Sequence, residues 1–276
     1  MFNYLKESFK RKIARRITRE YPVRIDTFNI QNIGEVQFIN WQNPLITSIK
    51  LDEQKIAFFK QFVAEGDLAI DIGAHTGDIT VPLGLCTGPG GLTIGFDPNP
   101  YVYKILEQNA ALNVGKVNIV AVPCAISVNE EEFYFISSEA SFGNGGISAT
   151  KDSKHGKYVY PHKIKGINLK RFLEEQYREW LSKFSFIKID TEGYDKEIIK
   201  SVSGLISQYK PVIIAESFGK SADEAKMELY DVLDQLDYEI FYFEDFNINT
   251  HVEKMNTRTD ILKWKQTIDI YALPKK

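Results

Sequence analysis

The stretch Asp67-Leu-Ala-Ile-Asp71-Ile-Gly73-Ala-His75-Thr-Gly77-Asp78-Ile-Thr80 decides the fold. Leu68, Ala69, Ile70 and Ile72 form an apolar run that reads as a strand buried on both faces. Gly73 and Gly77 then bracket a tight turn. Glycine suits places where backbone takes a positive φ or approaches a ligand closely. Ile79, Val81, Leu83 and Leu85 open a helix that tolerates Pro82 in its first turn. Strand, glycine turn and helix make the opening unit of a doubly wound sheet, whose ligand sits at the strand's carboxyl end against the helix N-terminus.

The units that follow continue the pattern. Gly91-Leu-Thr-Ile-Gly-Phe-Asp97 is a second buried strand ending in a carboxylate, at about the ~20-residue distance from the glycine turn that suits an acid receiving a ribose. Pro98-Asn99-Pro100 starts a helix running through Asn113, and residues 117–127 are a third strand. Residues 128–184 interrupt the alternation. They hold a strand at 132–136, a flexible loop at 141–147, a polar stretch at 151–166 and a helix at 168–183. An insertion of this size at one edge of a site is a lid or an acceptor platform, or simply a connecting hairpin and helix. The sheet resumes at Ser185-Phe-Ile-Lys-Ile-Asp190, followed by Thr191-Glu192-Gly193 and a helix. Pro211-Val-Ile-Ile-Ala-Glu216 is the next strand, 222–236 a helix, and 238–244 and 267–273 a terminal antiparallel pair joined by a polar loop at 245–266. The expected fold is α/β, a doubly wound, mostly parallel sheet of seven strands.

Upstream, residues 1–20 carry Lys6, Lys10, Arg11, Lys12, Arg15, Arg16 and Arg19 against Glu7 and Glu20. Phe2, Leu5, Phe9, Ile13 and Ile17 recur at helical spacing, which predicts a basic amphipathic helix. Such a helix packs on its own domain with a solvated basic face, the commoner case, or lies on an anionic membrane surface. Residues 21–65 read as an extension with strands at 23–30 and 36–41 and a helix at 52–64. The expected domain organisation is therefore a helix at 1–20, this extension, and one large domain at 66–276 carrying the insertion.

Composition narrows the function classes. In 276 residues the net charge is −3, so no global basic field draws nucleic acid. The two cysteines, Cys86 and Cys124, lie in no CxxC or His-rich setting, so a disulfide framework or zinc site is not expected. Reduced thiols, no apolar run of the ~20 residues a membrane span needs and no signal-like apolar segment point to a cytoplasmic protein.

Four acid-bearing features fall at strand ends, on the ligand-binding rim of an open α/β sheet: Asp71 with its glycines, Asp97, Asp190 with Glu192, and Glu216. The spacing Gly-x-x-x-Gly departs from the Gly-x-Gly-x-x-Gly of dinucleotide sites, which weakens a nicotinamide-dependent oxidoreductase reading. No Gly-Lys-Ser/Thr follows, so a P-loop is excluded. A ligand with adenosine but no phosphate fits best.

Three segments in order, Ile70-Asp71-Ile-Gly73-Ala-His-Thr-Gly77, Phe96-Asp97-Pro-Asn-Pro and Phe186-Ile-Lys-Ile-Asp190-Thr-Glu192-Gly193, resemble class I S-adenosylmethionine-dependent methyltransferases, in particular the FkbM-type family. The later Pro211–Glu216 strand is similar too. The resemblance covers roughly residues 66–217. It implies that Asp71, Gly73, Ala74, His75, Thr76 and Gly77 wrap the methionine part of S-adenosylmethionine. It implies that Asp97, with Pro98 and Asn99, holds the ribose, that Cys124 and Ala125 border the adenine, and that Asp190 lies at the methyl-transfer end. Asp97-Pro-Asn-Pro-Tyr101 looks like the Asn/Asp-Pro-Pro-Tyr box of base-amino methyltransferases, but it follows the second strand rather than the fourth, which disfavours DNA or RNA bases.

The implied activity is O-methylation of a sugar, glycan or small secondary metabolite. An alcohol acceptor must lose a proton, and the candidate bases are Asp190, Glu192 and His75, with His155 and His162 as weaker candidates. A divalent ion such as Mg²⁺ held by Asp190, Glu192 and Glu216 is an alternative means of activating the acceptor oxygen; Glu216 could equally pair with Lys188. A scaffold of the same fold that binds a nucleoside without catalysis is the remaining alternative.

Overall fold

The computed structural model describes residues 2–153 and 155–275, with side chains from Leu5 onward; Met1, Lys154, Lys276 and the Phe2 side chain of the predicted amphipathic face lie outside it. Helix α1 (Phe2–Ala14) is followed by an antiparallel hairpin of β1 (Val23–Ile30) and β2 (Gly34–Trp41) and by α2 (Glu53–Phe59), which Asp52 caps by accepting from the Lys55 amide at 2.8 Å. The doubly wound part then runs β3 (Leu68–Ile72), α3 (Thr80–Thr87), β4 (Leu92–Phe96), α4 (Pro100–Ala110) and β5 (Ile119–Val122). The insertion contributes β6 (Ala125–Ile126), β7 (Glu131–Ser137), β8 (Gly146–Ser148) and β9 (Tyr158–Ile167), then α5 (Leu169–Gln176) and a 3₁₀ turn (Arg178–Lys183). The sheet resumes with β10 (Phe184–Ile189), α6 (Asp195–Ser201), α7 (Ser203–Tyr209), β11 (Val212–Ser217), α8 (Asp223–Gln235), β12 (Tyr238–Phe243), β13 (Val252–Met255) and β14 (Ile268–Pro274).

The main sheet has the order β13-β12-β14-β11-β10-β3-β4-β5. The five strands from β11 to β5 are parallel, and β14, β12 and β13 are antiparallel. The sheet is thus mixed and has eight strands, not seven. The eighth is β13, inside the 245–266 stretch read as a loop: an edge strand with one buried side chain, Met255, reads as polar in sequence. The order in which the chain lays down its strands reverses between the parallel β3 and β10, the switch point where open α/β sheets bind ligands.

Side chains alternate along the buried central strands. Leu68, Ile70 and Ile72 join one core with Leu173 of α5, Ile198 of α6 and Leu233 of α8. Ala69 and Phe186 join the core on the opposite face with Phe58, Phe59, Val81 and Leu83 of α2 and α3. This parity also sets which way the strand-end acids point.

Other departures from expectation have local causes. The strand expected at 117–127 breaks at Pro123, which has no amide hydrogen for the ladder; β6 leaves the main sheet and pairs with β9. The 141–147 loop and the polar 151–166 stretch supply β8 and β9 of a separate four-stranded sheet, β6-β9-β7-β8. The helix expected at 168–183 keeps its Asn168 cap but ends at Gln176, because Tyr177 leaves helical geometry at φ −136°. The helix expected over 1–20 ends at Ala14. Among the described residues, no helix is long and apolar enough to cross a membrane. Cys86 and Cys124 are free and buried, and burial pushes both thiols up to about 12.

Candidate active site

A cavity of about 690 Å³ opens at the switch point, over the carboxyl ends of β3, β4, β10 and β11. Sites for small molecules and cofactors span ~300–1,000 Å³, so this one can take a nucleoside cofactor together with part of an acceptor. The insertion forms one wall through residues 143–149, Phe133, Phe135 and His155.

At one end, Gly73 takes φ +75° and turns against β10 so closely that a Cβ there would stand 2.1 Å from the Asp190 carbonyl oxygen. Only glycine meets both demands. Asp97 stands beside it. Its Oδ2 accepts from the His75 amide and its Oδ1 from the Asn99 amide, each at 2.8 Å. Burial pushes the Asp97 carboxyl up, opposed by the neighbouring His75 and the two amide donors. Two backbone donors leave each oxygen a free lone pair toward the cavity. His75 is itself left-handed, φ +46°, which presents its amide to Asp97. Its ring Nε2 lies 3.0 Å from the Gly143 carbonyl of the insertion. Asn99 caps α4 through the Tyr101 amide, and its Nδ2 donates to the Phe142 carbonyl at 2.7 Å. Two residues of the rim thus clasp the insertion loop.

The Asp71 carboxylate does not reach the cavity wall. Asp71 shares strand parity with Ala69, so it points toward α3, where Thr80 Oγ1 donates to its Oδ2 at 2.7 Å and Lys188 Nζ approaches Oδ1 at 3.4 Å. It holds α3 against β10 rather than lining a ligand. Ala74, Thr76 and Gly77, expected around the ligand with Asp71, also lie off the wall, turned inward by the tight loop; Gly73 and His75 face the cavity. Pro98, Asn99, Cys124 and Ala125 line it.

The other end is acidic. Asp78, Asp190, Glu192, Glu216 and Asp269 line it with Lys55 and Lys188. Lys188 is buried between Asp71 and Asp190, 3.2 Å from Asp190 Oδ2. Burial alone would lower its ammonium pKa, but Asp190, Asp71, Asp78 and Asp269 outweigh that and hold it above its ordinary value. Lys188 therefore pairs with Asp71 and Asp190, not with Glu216. Glu192 sits at φ +52° with Oε2 3.4 Å from His155 Nδ1. His162 is exposed on β9 away from the cavity and is not placed to take a proton there.

Glu216 Oε2 is buried without a hydrogen-bond partner. Burial, then the nearby Asp190, Asp195, Asp269 and Glu192, push this carboxyl up to about 8. Two acids that sequence reasoning passed over as site residues, Asp269 and Asp195, stand beside it, and a third, Asp78, lines the same cavity. Asp269 is opposite Glu216 in the β11–β14 ladder, and burial raises it to about 6. Asp195, also raised to about 6 by burial, accepts from the Glu216 amide at 3.0 Å and from Thr191 Oγ1 at 2.9 Å, bracing both strand ends. Asp78 is 3.9 Å from Lys55. A lone acid between isoleucines, as in Ile268-Asp269-Ile270, was the one available signal for Asp269. Among the described residues, no group of three His, Cys, Asp or Glu side chains is placed to hold a metal ion, so Asp190, Glu192 and Glu216 do not make the Mg²⁺ site considered from sequence.

Residues 71–243 match the sequence profile of the methyltransferase FkbM domain. No curated protein sequence matches the chain. Among solved structures, it is similar to the methyltransferase FkbM of Methylobacillus flagellatus, at 16% identity and TM-score 0.46 over 76% of this chain and 44% of that one. It thus spans under half the length of that protein. It is also similar to an O-methyltransferase of Bacillus cereus solved with SAH (10% identity, TM-score 0.44, 80% and 79% of the two chains) and to a SAM-dependent O-methyltransferase of Thermotoga maritima (11%, 0.43, 91% and 78%). These likenesses are distant, and the assignment rests on the sequence match, which spans both ends of the cavity: the chain belongs to the FkbM methyltransferase family.

Proposed function

We propose that the protein is an S-adenosylmethionine-dependent O-methyltransferase acting on an uncharged hydroxyl-bearing acceptor, a sugar, glycan or small secondary metabolite. The observation that carries the reading is the polarity of one cavity: an amide-held carboxylate, Asp97, at one end, and a crowd of carboxyls with an unpartnered oxygen around Glu216 at the other. The residues present fit the cofactor. Gly73 and His75 line the wall where its amino-acid part would lie, and Asp97 has free lone pairs for the ribose hydroxyls. Cys124, Ala125 and Phe133 offer an apolar slot for a flat base.

The cofactor, when bound, supplies a methyl group made electrophilic by a positively charged sulfur. The chain's own residues do the rest. The far end carries Asp78, Asp190, Glu192, Glu216 and Asp269 against Lys55 and Lys188, which suits a hydroxyl donor and repels phosphate or carboxylate acceptors. Lys188 engages the Asp190 carboxylate and holds it as an orienting acceptor for a second hydroxyl. Glu216 Oε2 is free, and a carboxylate titrating near 8 is a far better proton acceptor than an ordinary one. It takes the proton of the attacking hydroxyl. The insertion wall, fixed through His75 and Asn99, closes one side of the cavity.

The reading is tested by incubating the protein with S-adenosylmethionine labelled in the methyl group and panels of neutral, anionic and amino-bearing acceptors. Label should appear in products of neutral polyols and resist alkali, as an ether does. Alkali-labile label, label confined to amines, or thermal stabilisation by NAD and not by S-adenosylhomocysteine would contradict it.

A further inference from the structure

Among the described side chains of helix α1, the one buried against the body is in its last turn. Ala14 is fully buried with Tyr21, Ile39, Trp41 and Val102, and the Arg15 carbonyl accepts from the Ala140 amide of the insertion at 3.2 Å. Leu5, Phe9 and Ile13 share one face at i, i+4 and i+8, and Ala14 falls on the other side of the helix. The apolar stripe therefore faces away from the protein. Leu5 is 59% exposed and Phe9 65%, and Ile17, just beyond the helix, is 55% exposed. Leu5 and Phe9 lie one turn apart on the same helix face, so their exposure is a stripe rather than scatter.

Charge says what covers it. Residues 5–20 hold seven Lys or Arg and two Glu, a net +5 in a chain of −3, which leaves −8 for the remainder. Lys6 and Lys12 flank the stripe on either side and are exposed, as are Arg15, Arg16 and Arg19. We infer that this face docks on an anionic lipid bilayer, with Leu5, Phe9 and Ile17 entering the acyl boundary and the flanking cations meeting headgroups. A second copy of the same face would bring +5 against +5. Nucleic acid would satisfy the cations but leave the apolar stripe in water. Exposed stripe and flanking cations together fit lipid.

The consequence is spatial. The Arg15–Ala140 bond and the 3.7 Å Arg15–Glu139 ion pair tie the end of α1 to the insertion, and Phe142 and Gly143 of the same loop hold Asn99 and His75 at the cavity. Docking would hold the catalytic body at a fixed distance from the bilayer, in reach of acceptors that sit at its surface.

The test is flotation of the full chain with vesicles of phosphatidylcholine alone or mixed with phosphatidylglycerol, at low and high salt. Binding should require phosphatidylglycerol and weaken at high salt. The double variant Leu5→Glu, Phe9→Glu should lose it with an unchanged melting temperature. Lys12→Gln and Arg16→Gln should each lower partitioning roughly fivefold. Equal binding to neutral vesicles, no binding at low salt, or a double variant that floats like the parent would overturn the inference. So would a dimer in sedimentation that the double variant dissociates, since a second copy would then be the occupant.

Discussion

The two ends of the cavity hold their carboxylates in different ways. At the Asp97 end the acid is satisfied before any ligand arrives: two backbone amides, from His75 and Asn99, fix both oxygens. At the Glu216 end acids outnumber donors. Glu216 Oε2 has no partner, and Asp190, Asp195, Asp269 and Glu192 crowd it. The first arrangement fixes geometry and suits recognition. The second leaves a carboxyl oxygen without a partner and suits proton transfer. The contrast shows that carboxylates at equivalent strand ends acquire different work from their donors, not from their position on the sheet.

Lys188 is where the ends meet, and removing it should have the largest effect. It lies between the buried Asp71 and Asp190, so Lys188→Ala strands Asp71 without a counter-charge. Breaking a buried pair from one side costs about 3–5 kcal/mol. Urea denaturation should show that loss, whereas a change under 1 kcal/mol would mean the pair is not the brace described here. Glu216→Gln comes next. It keeps shape and removes the proposed base, so kcat should fall by about 10²–10⁴-fold while affinity for S-adenosylhomocysteine holds. Asp97→Ala should do the reverse, weakening the same ligand by about 10–100-fold through lost charge-assisted hydrogen bonds, with less effect on turnover once the cofactor saturates.

Titration separates the ends more finely. Glu216 is raised from an ordinary 4.5 to about 8, so the folded protein holds a proton that the unfolded chain releases between those values. Its stabilising effect is full below 4.5 and disappears as the pH rises through 8; Asp195 and Asp269, raised to about 6, act in the same sense over a narrower window. Stability should therefore decline from pH 4.5 to 8 while turnover climbs toward a plateau above 8. Glu216→Gln should flatten both profiles. The smallest effect belongs to His75→Ala, which loses one hydrogen bond to the insertion, about 1 kcal/mol, and should raise the acceptor KM more than it lowers kcat.

Much of this was legible in the chain before its structure. β3, β4, β10 and β11 read directly because strands buried on both faces are written in near-continuous Leu, Ile, Val and Phe. Gly73, Asp97 and Glu216 read as rim positions because each ends such a run. The side a residue faces did not read. Asp71 and Asp97 both lie at the ends of parallel strands, yet parity sends Asp71 to Thr80 under the floor and loop geometry sends Asp97 to the cavity. Asp269 was hidden because its partner Glu216 lies 53 residues away in an antiparallel ladder that no local pattern announces. β13 was hidden because edge strands carry the polarity of loops. The exposure of the α1 stripe was undecided for the same reason that parity was: periodicity marks a face, and only packing says what the face meets.

The claim that recognition and proton transfer occupy opposite ends of one cavity is tested most directly by calorimetric titration of S-adenosylhomocysteine into three proteins: the parent, Asp97→Ala and Glu216→Gln. The account predicts binding to the parent, at least tenfold weaker binding to Asp97→Ala, and parent-like binding to Glu216→Gln. Loss of affinity in Glu216→Gln as large as that in Asp97→Ala, or no binding to the parent, would contradict it.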